Sequence, residues 1–168
     1  MSKLETFATS ADAARAAADA IVAQLTPPGP KRIAVTGGSS PGPVYDRLTA
    51  TDLDWSRVTV ALSDERFVAS TSPDSNQRLV RERLLTGHAA DARIVALKGE
   101  GPTPEDDAKA AEPAIRALAP FDAVLLGMGP EGHIASLFAA NADTVQWLAP
   151  DCERSVVGVA SAGWSPFI

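Results

Sequence analysis

Two kinds of hydrophobic pattern alternate along this chain. Short apolar runs, typical of strands buried in a parallel sheet, occur at residues 32–36, 58–62, 94–97 and 121–126. Apolar residues at helical spacing lie between them, at residues 11–25, 44–48, 76–85 and 104–118. This alternation predicts a doubly wound α/β fold, in which a mostly parallel, Rossmann-like sheet carries helices on both faces.

Smaller features refine this plan at the two ends of the chain. Thr9 and Ser10 are helix N-cap residues, so we expect the first helix to begin there. Proline and glycine at residues 26–30 end that helix, because proline cannot continue its hydrogen-bond ladder. Residues 4–7 and 156–160 are predicted to form two further short strands.

Composition and charge limit what the chain can bind. Its 168 residues, 45% of them hydrophobic, suit one domain over residues 1–168. Fifteen basic and 21 acidic residues give a net charge of −6, which argues against nucleic acid as a partner. The chain shows no apolar run of about 20 residues and no signal-peptide pattern at its start, so we expect a cytoplasmic protein without a membrane partner. Cys152 has acidic neighbours, so we interpret it as incidental.

The loop after the first buried strand has the composition of a phosphate site. Gly37 and Gly38 allow a tight turn, Ser39 and Ser40 add hydroxyl donors, and a helix is predicted to follow. Free N–H groups at such a turn bind anions. The spacing fits neither the dinucleotide fingerprint nor the Walker A loop, and an ordinary strand-to-helix turn is the alternative.

The loop after the second buried strand is charged. Asp64, Glu65 and Arg66 stand where polar ligands of parallel sheets bind, and Asn76 follows at the start of a helix. The alternative is that Asp64 or Glu65 caps local backbone.

The loop after the last apolar run carries glycines and a histidine. Gly127, Gly129 and Gly132 leave room for a ligand to approach the backbone. We expect His133 to begin the next helix, whose positive end favours the neutral imidazole that a general base needs. His88, the only other histidine, lies in a polar turn and is interpreted as incidental.

Together the three loops resemble those of the 6-phosphogluconolactonase family. The matching segments are residues 37–41, residues 64–68 with 74–76, and residues 127–138. The related glucosamine-6-phosphate deaminases share the histidine loop, but there Tyr typically follows the acidic pair. Here Arg66 stands in that place. The resemblance implies hydrolysis of 6-phosphogluconolactone in the oxidative pentose phosphate pathway, with a sugar-phosphate lactone as the partner and with no cofactor or metal.

The resemblance also implies roles for individual residues. His133 would act as general base on water, Asp64 would orient the water or the histidine, and Arg66 would bind sugar hydroxyls or stabilise the oxyanion. The substrate and its phosphate would be held by Gly37, Gly38, Ser39, Ser40, Asn76, Gly129 and Gly132.

Two departures from the family pattern keep other readings open. Glu131 stands where the family usually has Asp, and residues 161–168 differ from the basic strand, final helix and lysine that family members carry there. We therefore expect one domain that lacks the family's C-terminal strands and helix, as a monomer or a weak homodimer. The alternatives are a deaminase or isomerase of amino-sugar phosphates, and a truncated domain that binds sugar phosphate without catalysis.

Overall fold

A computed structural model describes residues 3–160 and 167–168. A four-stranded parallel sheet organises the chain, in the order β3-β2-β1-β4. Its strands are β1 (Lys31–Val35), β2 (Val58–Leu62), β3 (Arg93–Val95) and β4 (Ala123–Val124). β1 and β2 pair over their full length, from Lys31 with Val58 to Val35 with Leu62. The sheet confirms the doubly wound α/β fold.

In the described part of the chain, five α-helices lie before, between and after the strands. They are α1 (Ser10–Leu25), α2 (Gly42–Thr49), α3 (Asn76–Arg83), α4 (Pro104–Arg116) and α5 (Thr144–Trp147). Three of them begin at a side-chain cap: Thr9, Ser75 and Thr103 each accept a hydrogen bond from a backbone N–H three residues ahead. Among the described residues, no helix has both the length and the apolar character to cross a bilayer.

The core lies around the two central strands. Val35, Val60, Leu48 and Trp55 are almost completely buried there. Tyr45 of α2 is also buried and donates a hydrogen bond to the backbone oxygen of Thr36, at the end of β1. Burial raises the pKa of the Tyr45 hydroxyl, so this group stays a donor. The bond fixes the start of the glycine-rich loop against α2.

Three strand predictions need correction. Residues 4–7 do not form a strand, and Leu4 and Phe7 are 90% and 42% exposed. Instead of a strand at residues 156–160, Val159 makes one isolated antiparallel bridge, to Phe167. The expected strand at residues 121–126 shortens to two residues, because within the described residues β4 is an edge strand that pairs with β1 alone. Residues 161–166 of the divergent C-terminal segment lie outside the described residues.

One arginine closes the end of α1. The Arg57 guanidinium donates to the carbonyl oxygens of Leu25 (2.5 Å), Pro27 (2.6 Å), Gly29 (2.8 Å) and Thr26 (3.2 Å). The last carbonyls of a helix have no partner within the helix, and the prolines that follow supply no N–H. Arg57 therefore satisfies backbone oxygens that the proline-rich exit leaves open.

We expect Arg57→Met to lower the free energy of unfolding by about 1–3 kcal/mol, because it removes charge-assisted hydrogen bonds and keeps much of the aliphatic stem. Urea unfolding followed by circular dichroism measures this. Arg15→Met is the matched control: Arg15 pairs only with Asp12 on the exposed face of α1, and its loss should change stability by less than about 1 kcal/mol. Equal effects of the two variants would contradict the role of Arg57.

Candidate functional site

The loops after β1, β2 and β4 meet at the carboxyl edge of the sheet and enclose a cavity of about 280 Å³. Nine of the ten candidate residues line it: Gly37, Gly38, Ser39, Ser40, Asp64, Arg66, Asn76, Gly129 and His133. The tenth, Gly132, belongs to the turn before His133 and has a left-handed φ of +82°. These residues lie together because they follow parallel strands, whose carboxyl ends share one edge of the sheet.

The glycine-rich loop needs its glycines for two different reasons. Gly38 has a φ of +87°, a left-handed conformation that other residues rarely adopt. Gly37 lies so close to α3 that an added Cβ would come within 1.8 Å of Asn76 Oδ1. Ser39 and Ser40 are exposed at the mouth of the cavity, where their hydroxyls are available to a ligand.

Asn76 links the loops to one another. Its Nδ2 donates to the backbone oxygen of Asp64 (2.9 Å) and to Asp64 Oδ1 (3.2 Å), and its Oδ1 accepts from Arg66 Nη1 (2.7 Å). Asn76 is 2% exposed, and its side-chain amide forms these hydrogen bonds within the protein. In this geometry Asn76 orients Asp64 and Arg66. Direct contact between Asn76 and the substrate stays a prediction.

Glu65 caps a helix from a distance. Its side chain is 1% exposed. Oε1 accepts from the N–H groups of Arg66 (2.8 Å) and Asn76 (2.7 Å), while Oε2 accepts from Ser75 Oγ (2.9 Å) and the N–H of Gln77 (2.8 Å). The carboxylate thus neutralises the positive end of α3 and fixes the loop that carries Arg66. The capping alternative is correct for Glu65, although the helix it caps begins eleven residues later.

Asp64 and Arg66 stay at the cavity wall. Asp64 is buried, with Oδ2 accepting from Ser136 Oγ at 2.6 Å. Arg66 is anchored through Nη1 to the backbone oxygen of Asp74 (3.0 Å) as well as to Asn76. The structure therefore presents a carboxylate and a guanidinium to the same cavity, each held by neighbours.

The prediction that a helix begins at His133 is wrong. Residues 127–143 form a series of turns, and the next helix, α5, begins only at Thr144. The glycines and the left-handed turns replace helical hydrogen bonds here: the Gly132 N–H donates to the Gly129 oxygen and the Gly129 N–H to the His133 oxygen, both at 2.9 Å. The helix end therefore gives no reason for a neutral imidazole.

Other groups position the imidazole instead. An added Cβ at Gly129 would lie 2.1 Å from His133 Cε1, so the ring packs directly on this glycine. The Phe138 ring contacts the other side, with centroids 4.6 Å apart. Glu131 Oε2 lies 3.2 Å from Nδ1, within ion-pair distance but not aligned as a hydrogen bond. Glu131 was not predicted as a partner of His133, although an acidic residue two positions before the histidine, across a glycine turn, is a signal for one.

A second, more apolar space adjoins the first. A cavity of about 490 Å³ shares Asp64, Arg66, His133 and Ala135 with it, and its other walls are formed by Glu131, Phe138, Ala139, Ala140 and Phe167. Phe167 lies at this wall because its backbone forms an isolated antiparallel β-bridge with that of Arg66. No group of three or more His, Cys, Asp or Glu side chains in the described part of the chain is placed to hold a metal ion.

The fold and the site define an α/β protein with a candidate ligand site at the carboxyl edge of a parallel sheet. The model of the family described as glucosamine-6-phosphate isomerases/6-phosphogluconolactonase matches residues 5–166. The chain belongs to this family.

Individual relatives point to one branch of it. A 6-phosphogluconolactonase of Caulobacter vibrioides is 43% identical over 168 residues, covering 98% of this chain and 72% of that protein. One of Mesorhizobium japonicum is 41% identical, over 87% of this chain and 63% of that protein. The crystal structure of a 6-phosphogluconolactonase from Shewanella baltica superimposes with a TM-score of 0.89 at 32% identity, over 96% of this chain and 71% of that one. The chain thus spans between about three-fifths and three-quarters of the length of these relatives. A monomeric glucosamine-6-phosphate deaminase, at 19% identity and a TM-score of 0.75, shares the fold.

Proposed function

We propose that this chain hydrolyses 6-phosphogluconolactone to 6-phosphogluconate, the reaction for which the relatives are named. The observation that supports it most is the convergence of His133, Asp64 and Arg66 with the glycine–serine loop on one cavity. A base, a carboxylate that orients it or the water, and a cation beside an anion-binding loop are what the opening of a phosphorylated lactone needs.

The proposed reaction begins with a water molecule held near His133. The imidazole removes a proton as the water oxygen attacks the lactone carbonyl, and returns it to the ring oxygen as the C–O bond breaks. Nε2 is the base in this proposal, because Nδ1 faces Glu131 Oε2 at 3.2 Å. Arg66 stabilises the negative charge on the tetrahedral intermediate or binds sugar hydroxyls, and Asp64 orients the water or the imidazole. A lactone is a reactive ester, so this scheme uses no metal or cofactor.

The phosphate binds the loop after β1 in this proposal. The net charge of −6 gives the chain no general attraction for anions, so the binding must come from local N–H groups and from the Ser39 and Ser40 hydroxyls. Gly37 and Gly38 let the phosphate approach the backbone.

We expect the double variant Ser39→Ala with Ser40→Ala to raise KM for 6-phosphogluconolactone about 10-fold, because two hydrogen bonds to a charged group are lost. The same variant should leave hydrolysis of unphosphorylated gluconolactone unchanged. Steady-state kinetics on both lactones measure this. Ser56→Ala removes an exposed hydroxyl at the opposite end of β2 and serves as the control. An equal change on both lactones would contradict phosphate binding by these serines.

Two measurements separate the alternatives. Release of ammonia from glucosamine-6-phosphate would favour a deaminase, which the shared fold of the deaminase structure leaves open. Binding of 6-phosphogluconate in calorimetry, without turnover of either substrate, would favour a non-catalytic domain. We expect lactone opening and no ammonia. The single domain over residues 1–168, a monomeric or weakly dimeric state and a cytoplasmic location stay predictions.

A further inference from the structure

The Asp64 carboxylate is held by hydrogen bonds from two separate loops. Asn76, at the start of α3, donates to Oδ1 at 3.2 Å. Ser136, which follows His133 by three residues, donates to Oδ2 at 2.6 Å. A carboxylate with a donor on each oxygen has a fixed plane, so its direction toward the cavity is fixed as well.

The backbone around Ser136 is shaped to make this bond. Residues 134–137 form a tight turn, closed by the Leu137 N–H donating to the Ile134 oxygen at 3.1 Å. Ala135 in this turn has a φ of +52°, a left-handed conformation that is unfavourable for a residue with a Cβ. Backbone in such a conformation persists only where surrounding contacts hold it. The buried Ser136–Asp64 hydrogen bond is one such contact.

Ser136 itself stands outside the candidate site. Its side chain is buried and lines a different, smaller cavity of about 180 Å³, together with Leu62, Ile115 and Val156. Asp64 lies between the two spaces and lines both. Ser136 can therefore affect a ligand in the 280 Å³ cavity only through Asp64 and through the loop that carries His133.

We propose that Ser136 is a positioning residue for lactone opening, one that fixes the Asp64 carboxylate and ties the histidine loop to the end of β2. The inference rests on the proposed function. Proper placement of reacting groups is worth large factors in rate, and displacements near 1 Å reduce turnover strongly. The bond spans 72 residues of sequence and joins the two loops that carry Asp64 and His133.

The test compares three variants of the full chain. Ser136→Ala removes the hydroxyl, and we expect kcat for 6-phosphogluconolactone to fall about 10-fold or more while KM changes less than about 3-fold. Ser136→Thr keeps the hydroxyl, and the adjoining cavity has room for its extra methyl group, so kcat should return to within about 3-fold of the parent. Thr49→Val removes another hydroxyl, which donates to the Thr86 oxygen at the end of α2 away from the cavity, and should leave kcat within about 2-fold.

The outcomes are distinguishable. Parental kcat in Ser136→Ala, or an equal loss in Thr49→Val, would overturn the role of Ser136 and leave the proposed function intact. A loss in kcat that Ser136→Thr does not restore would also count against it, provided that the melting temperature of that variant matches the parent. Absence of turnover in the folded parent chain would instead overturn the proposed function, and the role of Ser136 with it.

Discussion

Replacing His133 with alanine is expected to lower kcat for lactone opening by about 100- to 10,000-fold, the range that general-base catalysis contributes. His133 is the only histidine at the cavity: the chain has two, and the His88 side chain is 55% exposed beside Asp52. The ring lies between Gly129 and Phe138, so removing it leaves a hole that water can enter without a base to activate it.

The matched control is His88→Ala, which removes an imidazole from the segment that precedes β3, at the edge of the sheet opposite the candidate site, and should leave kcat unchanged. Initial rates are measured on freshly prepared 6-phosphogluconolactone after subtraction of spontaneous hydrolysis. A His133→Ala variant as fast as the parent would remove the general base from the mechanism. A loss in both variants would point to a general effect on the fold.

Replacing Glu65 with glutamine is expected to lower the free energy of unfolding by about 3 kcal/mol. The buried Glu65 carboxylate is the acceptor in all four of its hydrogen bonds. The NH₂ group of glutamine would point at two of the four donors and could accept from neither. Unsatisfied buried donors and the lost favourable interaction with the N-terminus of α3 both contribute. For a domain of this size the melting temperature should fall by about 6–12 °C.

Glu82→Gln provides the control on the same helix. Glu82 pairs with Arg78 on the exposed surface at 2.7 Å, and its loss should change stability by less than about 1 kcal/mol. Thermal and urea unfolding of both variants measure these changes in melting temperature and in the free energy of unfolding. Equal stability of Glu65→Gln and the parent would show that the carboxylate charge at the start of α3 is dispensable.

The central part of the fold was predictable because its signals are local. The apolar runs of β1 and β2 and the cap at Thr9 depend on adjacent residues, and the structure confirms them. The convergence of the three loops followed as well, since the carboxyl ends of parallel strands share one edge.

Features that depend on distant neighbours were not predictable. The apolar run at residues 121–126 resembles a full strand, yet at the sheet edge it pairs over only two residues. His133 follows glycines that permit either a helix start or a turn, and contacts with Gly129 and Phe138 accompany the turn. Apart from the Arg66 N–H, the partners of Glu65, Asn76 and Ser136 lie 10 to 72 residues away, which no local pattern reports.

The most direct measurement is the initial rate at which the folded chain opens freshly prepared 6-phosphogluconolactone, with circular dichroism on the same sample. We expect a rate well above spontaneous hydrolysis that saturates with substrate and falls at least about 100-fold in His133→Ala. A folded sample that opens the lactone no faster than buffer would contradict the assignment of His133, Asp64 and Arg66 to a lactone-hydrolysing site.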